Sequence, residues 1–309
     1  MKNKIYTLVL ITVVFLNIGS LFAQQDPQFT HYMYNPSTIN PAFAGYRNSL
    51  SATLIHRSQW IGVKGAPSSQ ALSIQSPLNN EKIALGANLY NDVVGPINEM
   101  AFNVDFAYTI MTEKSNINFG IKGGVQSYSF DPNKLSIQDQ TDTNFTTIKN
   151  QFSPQIGVGV MFETSKLYLG VSVPNIIETR HENSSLTEFK TSTERRNYYA
   201  SAGYIFDLSQ TIKLKTSAIS KIVSGAPLQL DLSANFLFNE KITVGTAYRM
   251  DAAVSLMAGF QLTKELLIGA AYDYDTTKFT KTNSGSAEFI LRYELSTNTV
   301  KRILNPRIF

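Results

Sequence analysis

Long stretches in which apolar and polar residues alternate are the feature that most constrains this chain. Over most of residues 98–112 and of residues 227–239, every second side chain is apolar, and most of the side chains between them are small or polar. A period of two residues is the signature of a β-strand whose two faces meet different surroundings. An average strand of a soluble sheet has about 5–6 residues, whereas a strand that crosses a bilayer at a tilt needs about 9–11. The length of the alternation therefore favours membrane-spanning strands.

Fourteen stretches with strand character follow one another between residues 49 and 295. Their predicted bounds are residues 49–60, 69–78, 82–93, 98–112, 116–130, 152–164, 165–177, 195–209, 211–223, 227–239, 241–251, 252–263, 264–277 and 284–295. The sequence therefore predicts an all-β protein, a transmembrane antiparallel β-barrel of about 14 strands that occupies residues 49–295.

Connections of alternating length predict how the barrel is oriented. Short polar turns, such as residues 79–81, alternate with longer connections, such as residues 131–151 and 178–194. In outer-membrane barrels the short turns lie on the periplasmic side and the long loops lie outside. This pattern predicts an outer-membrane protein with both termini in the periplasm. The connections near residues 224–226 and 251–252 are short for the outer side, which leaves the strand count open there.

The first 23 residues are typical of an export signal. Lys2 and Lys4 precede an apolar run over residues 5–22, and the small residue Ala23 follows it. This is the order of charged region, apolar region and cleavage site in a signal peptide. A transmembrane anchor is the alternative, but polar residues near the end of the run favour the signal peptide. We therefore predict that residues 1–23 are removed on export.

The composition excludes several function classes. The chain has no cysteine, so disulfides and thiolate metal sites are excluded. The formal net charge of +4 falls to +2 when the two lysines of the signal are subtracted, which leaves no electrostatic footprint for nucleic acid. Motifs of the type G-x-S-x-G, H-E-x-x-H or the P-loop do not occur. We therefore predict no enzyme activity, no cofactor and no metal.

Two segments lie outside the predicted barrel. Residues 24–48 contain Pro27, Pro36 and Pro41, and proline cannot donate to a strand ladder and restricts the residue before it. Several aromatic residues make this segment too apolar for a disordered linker. We predict an irregular segment that is ordered against the barrel. At the other end, residues 296–309 are predicted to form a short periplasmic tail.

Several short motifs along the mature chain resemble one protein family. They are NP at residues 35–36, NPAFAG at residues 40–45, HRSQW at residues 56–60, GAP at residues 65–67, VPN at residues 173–175 and NPRIF at residues 305–309. These motifs resemble the PorP/SprF family, which is associated with the type IX secretion system and gliding motility of Bacteroidota. The resemblance implies an outer-membrane barrel dedicated to partner proteins. Members assist secretion or surface attachment of a cargo such as a large adhesin, through its C-terminal domain, or link the secretion machinery to periplasmic partners.

The most specific of these motifs supplies the first candidate site residues. Asn40, Pro41, Phe43 and Gly45 belong either to a motif that a partner recognises or to a turn. In the second case Pro41 sets the backbone angle φ, Gly45 permits an unusual φ, and Phe43 plugs the lumen.

The second group of candidates lies at the end of the first predicted strand. Arg57 and Gln59 share the polar face of that strand, so Arg57 either hydrogen-bonds a segment inside the lumen, contacts cargo, or is an ordinary lumen-facing residue. Trp60 lies beside the first long loop. An indole favours the membrane interface, and a cargo anchor is the other interpretation.

The third group of candidates lies in the C-terminal tail. Pro306 cannot donate to a ladder, which argues against a further strand there. Arg307 and Phe309 complete the terminal motif. The tail either packs at the periplasmic mouth, where it contacts a component of the secretion machinery, or serves barrel assembly alone.

The pattern and the resemblance together predict an outer-membrane accessory of the type IX secretion system. Its expected partners are a secreted cargo protein, components of the secretion system and outer-membrane lipid. A passive porin or small-molecule transporter is the alternative, because about fourteen strands enclose a lumen wide enough for solutes unless it is plugged. Charged residues of both signs are predicted to face the lumen. They either pair and close the lumen or line a channel.

Overall fold

A closed barrel of fourteen antiparallel strands forms the protein. The computed structural model describes residues 28–78, 82–135, 147–178, 180–181, 192–193 and 195–295. The signal peptide predicted at residues 1–23 and the tail predicted at residues 296–309 lie outside the described residues. The barrel confirms the predicted all-β class and the predicted number of strands.

The strands follow the alternation found in the sequence. They are β1 (Leu50–Ser58), β2 (Ser68–Pro77), β3 (Ile83–Val94), β4 (Ile97–Met111), β5 (Asn116–Phe130), β6 (Ile148–Glu163), β7 (Leu167–Val173), β8 (Arg180–His181), β9 (Ser192–Thr193), β10 (Asn197–Asp207), β11 (Ile212–Val223), β12 (Gln229–Phe238), β13 (Ile242–Arg249), β14 (Ala253–Gln261), β15 (Leu266–Asp275) and β16 (Ser286–Leu295). Each barrel strand pairs with the next one, and β1 also pairs with β16 to close the ring. The short strands β8 and β9 form a small sheet of their own, so β7 pairs with β10.

The two ends of the barrel differ in their connections. Leu50 of β1 and Leu295 of β16 pair at the end that carries the short turns, which we call the short-turn end. The opposite end carries the longest connections, those between β5 and β6 and between β7 and β10, and we call it the long-loop end. The short connections near residues 224–226 and 251–252 join neighbouring strands, so no strand was missed or counted twice there.

The two faces of the wall follow the predicted parity. In β4, the side chains of Phe102, Val104 and Phe106 are exposed on the outside of the barrel, whereas Asn103 and Asp105 are buried on the inside. A membrane barrel needs this arrangement because lipid surrounds its outer face. β4 thus places its large apolar side chains outside and its polar side chains toward the lumen, whereas a few apolar residues of other strands, such as Ile55, face the interior.

Two neighbouring strands depart most from their predicted bounds. β6 begins at Ile148 instead of residue 152, and β7 ends at Val173 instead of residue 177. β7 ends early because Pro174 follows it and lacks the N–H that a ladder requires. Pro154 is tolerated within β6 because β7 does not reach that part of the strand, and proline is compatible with a strand edge.

The helical elements are all short. They are the 3₁₀ helices η1 (Tyr32–Tyr34), η2 (Pro36–Thr38), η3 (Pro41–Phe43), η4 (Pro132–Lys134) and η5 (Lys278–Lys281). In the described part of the chain, no helix has the length and apolar character needed to cross a membrane. Of the five helices in the described residues, η1 to η3 lie in the segment that precedes β1. This segment forms the core of the molecule together with inward-facing residues of the strands.

Candidate functional site

The segment before β1 lies inside the barrel and fills its lumen. We call residues 28–48 the plug. Most of its side chains are buried, including Phe29, Met33, Tyr34 and Phe43, and hydrogen bonds join it to lumen-facing residues on strands all around the ring. The aromatic residues of this segment therefore pack in the interior of the protein.

Proline and asparagine shape the plug locally. Pro36 and Pro41 each occupy a first helical position, of η2 and of η3, where the missing N–H costs nothing and the fixed φ suits a helical turn. The side chain of Asn40 accepts a hydrogen bond from the N–H of Ala42 at 2.9 Å and so caps η3. Short turns with capped ends let the backbone fold back on itself within the narrow lumen.

A network of charges holds the part of the plug that lies nearest the long-loop end. Arg57 of β1 lies 2.6 Å from Asp273 of β15 and 3.2 Å from Glu288 of β16, measured from its guanidinium nitrogens to the carboxylate oxygens. It also donates a hydrogen bond of 2.8 Å to the hydroxyl of Thr30 in the plug. All of these side chains are buried. Buried charges are tolerated when they are paired and hydrogen-bonded, and the plug supplies part of that pairing.

Glu288 accepts several hydrogen bonds from the plug. Its carboxylate accepts hydrogen bonds from the backbone N–H groups of Thr30 and His31, each at 2.7 Å. Nδ1 of His31 lies 2.7 Å from the same carboxylate, and because a carboxylate only accepts, this ring nitrogen carries a proton. Beside this pair, the side-chain amide of Gln28 donates to Asp231 at 2.9 Å.

Neutral hydrogen bonds anchor the middle of the plug. The hydroxyl oxygen of Tyr32 lies 2.9 Å from that of Ser217, and burial raises the pKa of Tyr32 to about 12, so the phenol keeps its proton. The side-chain amide of Asn35 donates to the hydroxyl of Ser73 at 2.9 Å. Contacts on β2 and β11 thus hold the plug on two well-separated strands of the ring.

Close fit, more than charge, positions the part of the plug around η3. A Cβ atom added to Gly120 of β5 would lie 2.1 Å from the backbone nitrogen of Ala42, and one added to Gly159 of β6 would lie 2.0 Å from the side-chain oxygen of Asn40. The ring of Phe43 packs edge-on against the ring of Tyr168, with centroids 5.5 Å apart. Glycines in the wall therefore form the recess into which this part of the plug fits.

The candidate residues of the N-terminal motif all lie in the plug. Asn40 caps η3 and donates to the carbonyls of Val160 and Val171, at 3.2 and 3.3 Å. Gly45 has a φ of +69°, and a Cβ there would lie 2.3 Å from the Cβ of Ala84. This position requires glycine for both conformation and space.

The candidates at the end of β1 lie in two different places. Arg57 reaches the plug, as described above, whereas Gln59 and Trp60 belong to the connection between β1 and β2. The N–H of Gln59 donates to the carbonyl of Pro67 at 2.9 Å. The indole of Trp60 packs against the ring of Phe279, with centroids 5.0 Å apart. The tail candidates Pro306, Arg307 and Phe309 lie outside the described residues.

No sequence motif marks Thr30 and His31, which join the plug to the charge network. The signal that would have indicated them was the set of carboxylates on the lumen parity of the last strands, such as Asp273 and Glu288, because buried carboxylates need donors. Predicted lumen charges do pair, as Arg57 with Glu288 and Arg249 with Asp231 show. Among the described residues, no group of three histidine or acidic side chains is arranged to hold a metal ion.

The plug runs along the lumen in a defined direction. Gln28 contacts Asp231, near the end of β12 that faces the long-loop end, and Arg47 contacts Glu294 near the short-turn end, 2.8 Å away. The chain therefore descends from the long-loop half of the lumen to the short-turn end before β1 begins. The described chain begins at Gln28 in the long-loop half of the lumen, and both termini, predicted in the periplasm, lie outside the described residues.

A cavity of about 170 Å³ remains beside the plug, and we call it the outer cavity. Plug residues such as Phe29 and Tyr32 form one side of it, and wall residues such as Asn103, Gln155 and Tyr199 form the other. Amide and aromatic side chains predominate, so much of the lining offers neutral hydrogen-bonding groups together with ring faces. The lining also holds three charged residues, Glu99, Lys122 and Arg195.

Comparisons with known proteins agree with this architecture. A family model described as type IX secretion system membrane protein PorP/SprF matches residues 21–293. No curated protein matches the chain.

Solved structures with a similar fold are membrane barrels of low sequence identity. The CymD monoaromatic hydrocarbon channel is 12% identical, with 91% of this chain and 96% of that chain covered and a TM-score of 0.51. The TodX deltaS2S3 mutant monoaromatic hydrocarbon channel is 9% identical, with 85% and 94% covered and a TM-score of 0.50. A Pseudomonas aeruginosa FadL homologue is 13% identical, with 89% and 94% covered and a TM-score of 0.48. At these identities the likeness concerns the fold alone.

Proposed function

Because the chain belongs to the PorP/SprF family of type IX secretion system membrane proteins, we propose that it is an outer-membrane accessory barrel of that system. Its role is to assist secretion or surface attachment of a cargo protein, through the C-terminal domain of the cargo, or to link the translocon to periplasmic partners. The barrel wall contacts outer-membrane lipid, and other components of the secretion system are its further partners. The long-loop end faces the cell exterior and the short-turn end faces the periplasm.

The plugged lumen is the observation that carries this proposal against the alternative of a porin. Arg57, Asp273 and Glu288 pair with one another and with the plug, so they are not available to line a path for solutes. Side chains such as Phe43 fill the lumen around η3. A barrel whose interior is occupied presents its two mouths and its loops to partners, and this suits a protein that handles other proteins.

The decisive experiment separates cargo handling from barrel biogenesis in cells. We expect that deletion of the gene changes how type IX cargo proteins are divided between the cell surface and the medium, measured by quantitative mass spectrometry of both fractions. Complementation with the wild-type gene provides the control for secondary effects, and the amount of an unrelated outer-membrane barrel provides the control for general envelope damage. Unchanged cargo in both fractions would refute the proposal.

A passive porin remains the second candidate, and single-channel recording distinguishes it. We expect the wild-type protein to show no stable conductance in a planar bilayer, because the plug fills the lumen. A variant that lacks residues 24–47 should conduct, since about fourteen strands enclose a wide lumen when nothing fills it. Stable conductance of the wild-type protein at the same level as this variant would favour the porin.

The proposed orientation is testable with epitope tags. Tags inserted after residues 143 or 186 should be labelled on intact cells, because both positions fall in long connections. Tags after residues 80 or 240 should be labelled only after permeabilisation. Surface labelling at residue 80 would show that the barrel has the opposite orientation.

We assign the C-terminal tail to the periplasmic mouth, where Pro306, Arg307 and Phe309 contact a component of the secretion machinery. Leu295, the last residue of β16, lies at the short-turn end, which supports this assignment. Deletion of residues 299–309 should leave the amount of folded barrel unchanged and reduce cargo export. Loss of the barrel itself would show that the tail serves assembly.

A further inference from the structure

One stretch of the barrel wall has a neighbour on one side only. β6 spans 16 residues and β7 spans 7. On one side β6 pairs with β5 as far as Ile148, but on the other side it pairs with β7 only from Val158 to Glu163. Within the described residues, no strand continues the line of β7 beside the first part of β6. This part of β6 is therefore a strand edge at the long-loop end.

The backbone groups that face this edge follow from the alternation of a strand. The carbonyl of Ile156 accepts a hydrogen bond of 2.7 Å from the N–H of Ile176, just after β7, so residue 156 points its backbone groups toward the edge. Every second residue of a strand points the same way. The carbonyl of Pro154 and both backbone groups of Phe152 thus face the edge. Because residue 154 points its backbone groups toward the edge, Pro154 removes no N–H from the hydrogen bonds between β6 and β5.

The edge is bounded at both ends. Toward the short-turn end, the carbonyl of Ile156 already accepts the hydrogen bond from the N–H of Ile176. Toward the long-loop end, the pairing of β5 and β6 shifts register near Tyr128, and the N–H of Asn150 donates to Ser129 of β5 at 3.1 Å. Between these limits, three backbone groups at strand spacing have no partner in the part of the chain that the structure describes.

The surroundings of this edge suit one more strand. β10 begins at Asn197 and pairs with β7 only from Tyr199, so the gap between β6 and β10 continues the line of β7. Gln155 and Tyr199 line the outer cavity on the inner side of this gap. On the outer side, Phe152 exposes 68% of its surface. Alternate side chains of an added strand would thus meet an amide-lined cavity on one side and an apolar surface on the other.

We propose that this edge of β6 is a docking site for an extended polypeptide segment of a secreted partner, which adds to the barrel wall as a strand in the line of β7. The identity of the partner class rests on the proposed function. A polypeptide is the occupant that fits, because backbone groups at strand spacing pair with another backbone, which a solute or an acyl chain does not provide. The edge of β6 forms the backbone hydrogen bonds with the added strand. The outer cavity determines which inward-pointing side chains of that strand fit.

The binding experiment uses synthetic peptides of fifteen residues that tile the C-terminal domains of the type IX cargo proteins of the same cells. Binding to the purified barrel in detergent is measured by fluorescence anisotropy. We expect at least one peptide to bind, and we expect Phe152→Pro, which removes the N–H at the edge, to weaken it about three- to tenfold. Phe152→Leu keeps that N–H and is the matched control, with a smaller loss.

A second measurement does not depend on a variant of the barrel. Peptides carrying N-methyl groups on every second residue are made in the two possible registers. Strand addition predicts that one register loses binding and the other retains it, because only alternate N–H groups face β6. Equal affinity of the two registers, no binding by any tiled peptide, or binding that appears only after residues 182–191 are replaced by a glycine-serine linker would each overturn the proposal.

Cells that carry Phe152→Pro separate this proposal from the proposed function. If deletion of the gene alters cargo distribution and Phe152→Pro, with normal amounts of folded barrel, does so too, the docking site is supported. If deletion alters the distribution and Phe152→Pro does not, the docking site is refuted and the proposed function stands. If neither alters it, the proposed function fails.

Discussion

The barrel wall and the plug are stabilised in different ways, although they belong to one chain. In the wall, each strand repeats the same ladder of backbone hydrogen bonds and the same apolar outer face. The plug has no such repeat. Its contacts differ from one residue to the next, as those of Thr30, Asn40 and Phe43 show. Stability is therefore distributed over many equivalent residues in the wall and concentrated in a few residues in the plug.

The plug itself combines two kinds of contact. Near the long-loop end, buried charges centred on Arg57 and Glu288 hold it. Around η3, glycines in the wall such as Gly120 leave room for its backbone. The comparison implies that single substitutions release the plug through lost pairing at one place and through steric conflict at the other, while the wall remains closed.

Arg57→Met should have the largest effect. It leaves the carboxylates of Asp273 and Glu288 buried without the arginine that pairs with both of them, and breaking a buried pair in this way costs about 3–5 kcal/mol. We expect a lower free energy of unfolding in urea and faster chymotrypsin cleavage within the plug, which is rich in phenylalanine and tyrosine. The triple variant with Asp273→Asn and Glu288→Gln is the matched control and should be less destabilised. A single variant as stable as the wild type would show that the charge network does not hold the plug.

Leu256→Arg tests the wall and should rank second. Leu256 exposes 68% of its surface on the outside of β14, and arginine on the lipid face near the midplane costs about 2–4 kcal/mol. The measurement is the fraction of folded barrel in lipid vesicles as urea increases. Leu208→Arg, in the turn after β10, is the control and should cost less because it lies near the interface. Equal losses at both positions would contradict a membrane-spanning wall in which Leu256 lies near the bilayer midplane and Leu208 near the interface.

Gly120→Ala tests the close fit around η3 and should follow. The new Cβ meets the backbone of Pro41 and Ala42, and overpacking of this kind costs about 1–3 kcal/mol. We expect faster proteolysis of the plug, with the far-UV circular dichroism of the wall unchanged. On the same strand, Gly123 has nothing within 4 Å of an added Cβ, so Gly123→Ala should behave as the wild type. Similar proteolysis of both variants would argue against the recess.

Lys166→Met should have the smallest effect. The ammonium group of Lys166 lies 2.8 Å from the carboxylate of Asp207, but both side chains are about half exposed, at 48% and 47%. Exposed ion pairs contribute little to stability. We expect an unfolding midpoint in urea equal to that of the wild type, measured beside Arg57→Met. A large loss would mean that charges at the rim matter as much as charges in the lumen.

The same contrast explains what the sequence predicted. The wall was predictable because its pattern is local and repeated, so the strands, their parity and their number could be derived from periodicity. The early start of β6 and the early end of β7 were harder, because Pro154 and Pro174 act differently depending on which side of a strand has a neighbour. Local sequence does not contain that information.

The place of the plug was less accessible to sequence reasoning. Arg57 was predicted on the lumen face, and an inserted segment was one of its interpretations. Thr30 and His31 share one hydrogen-bond partner, Glu288, which lies more than 250 residues away in the chain. No periodicity connects residues so far apart, and a lone histidine carries no signal until its carboxylate partner is known.

The position of Trp60 has a practical consequence for spectroscopy. It is the one tryptophan of the chain, and its indole packs on Phe279, in the connection that precedes the last strand. The next residue, Ile61, donates to the carbonyl of Gly285 at 2.8 Å. Because this junction joins the first connection to the last one, it forms only when the sheet has closed into a ring. Intrinsic tryptophan emission during refolding therefore times ring closure, while circular dichroism times the formation of strands.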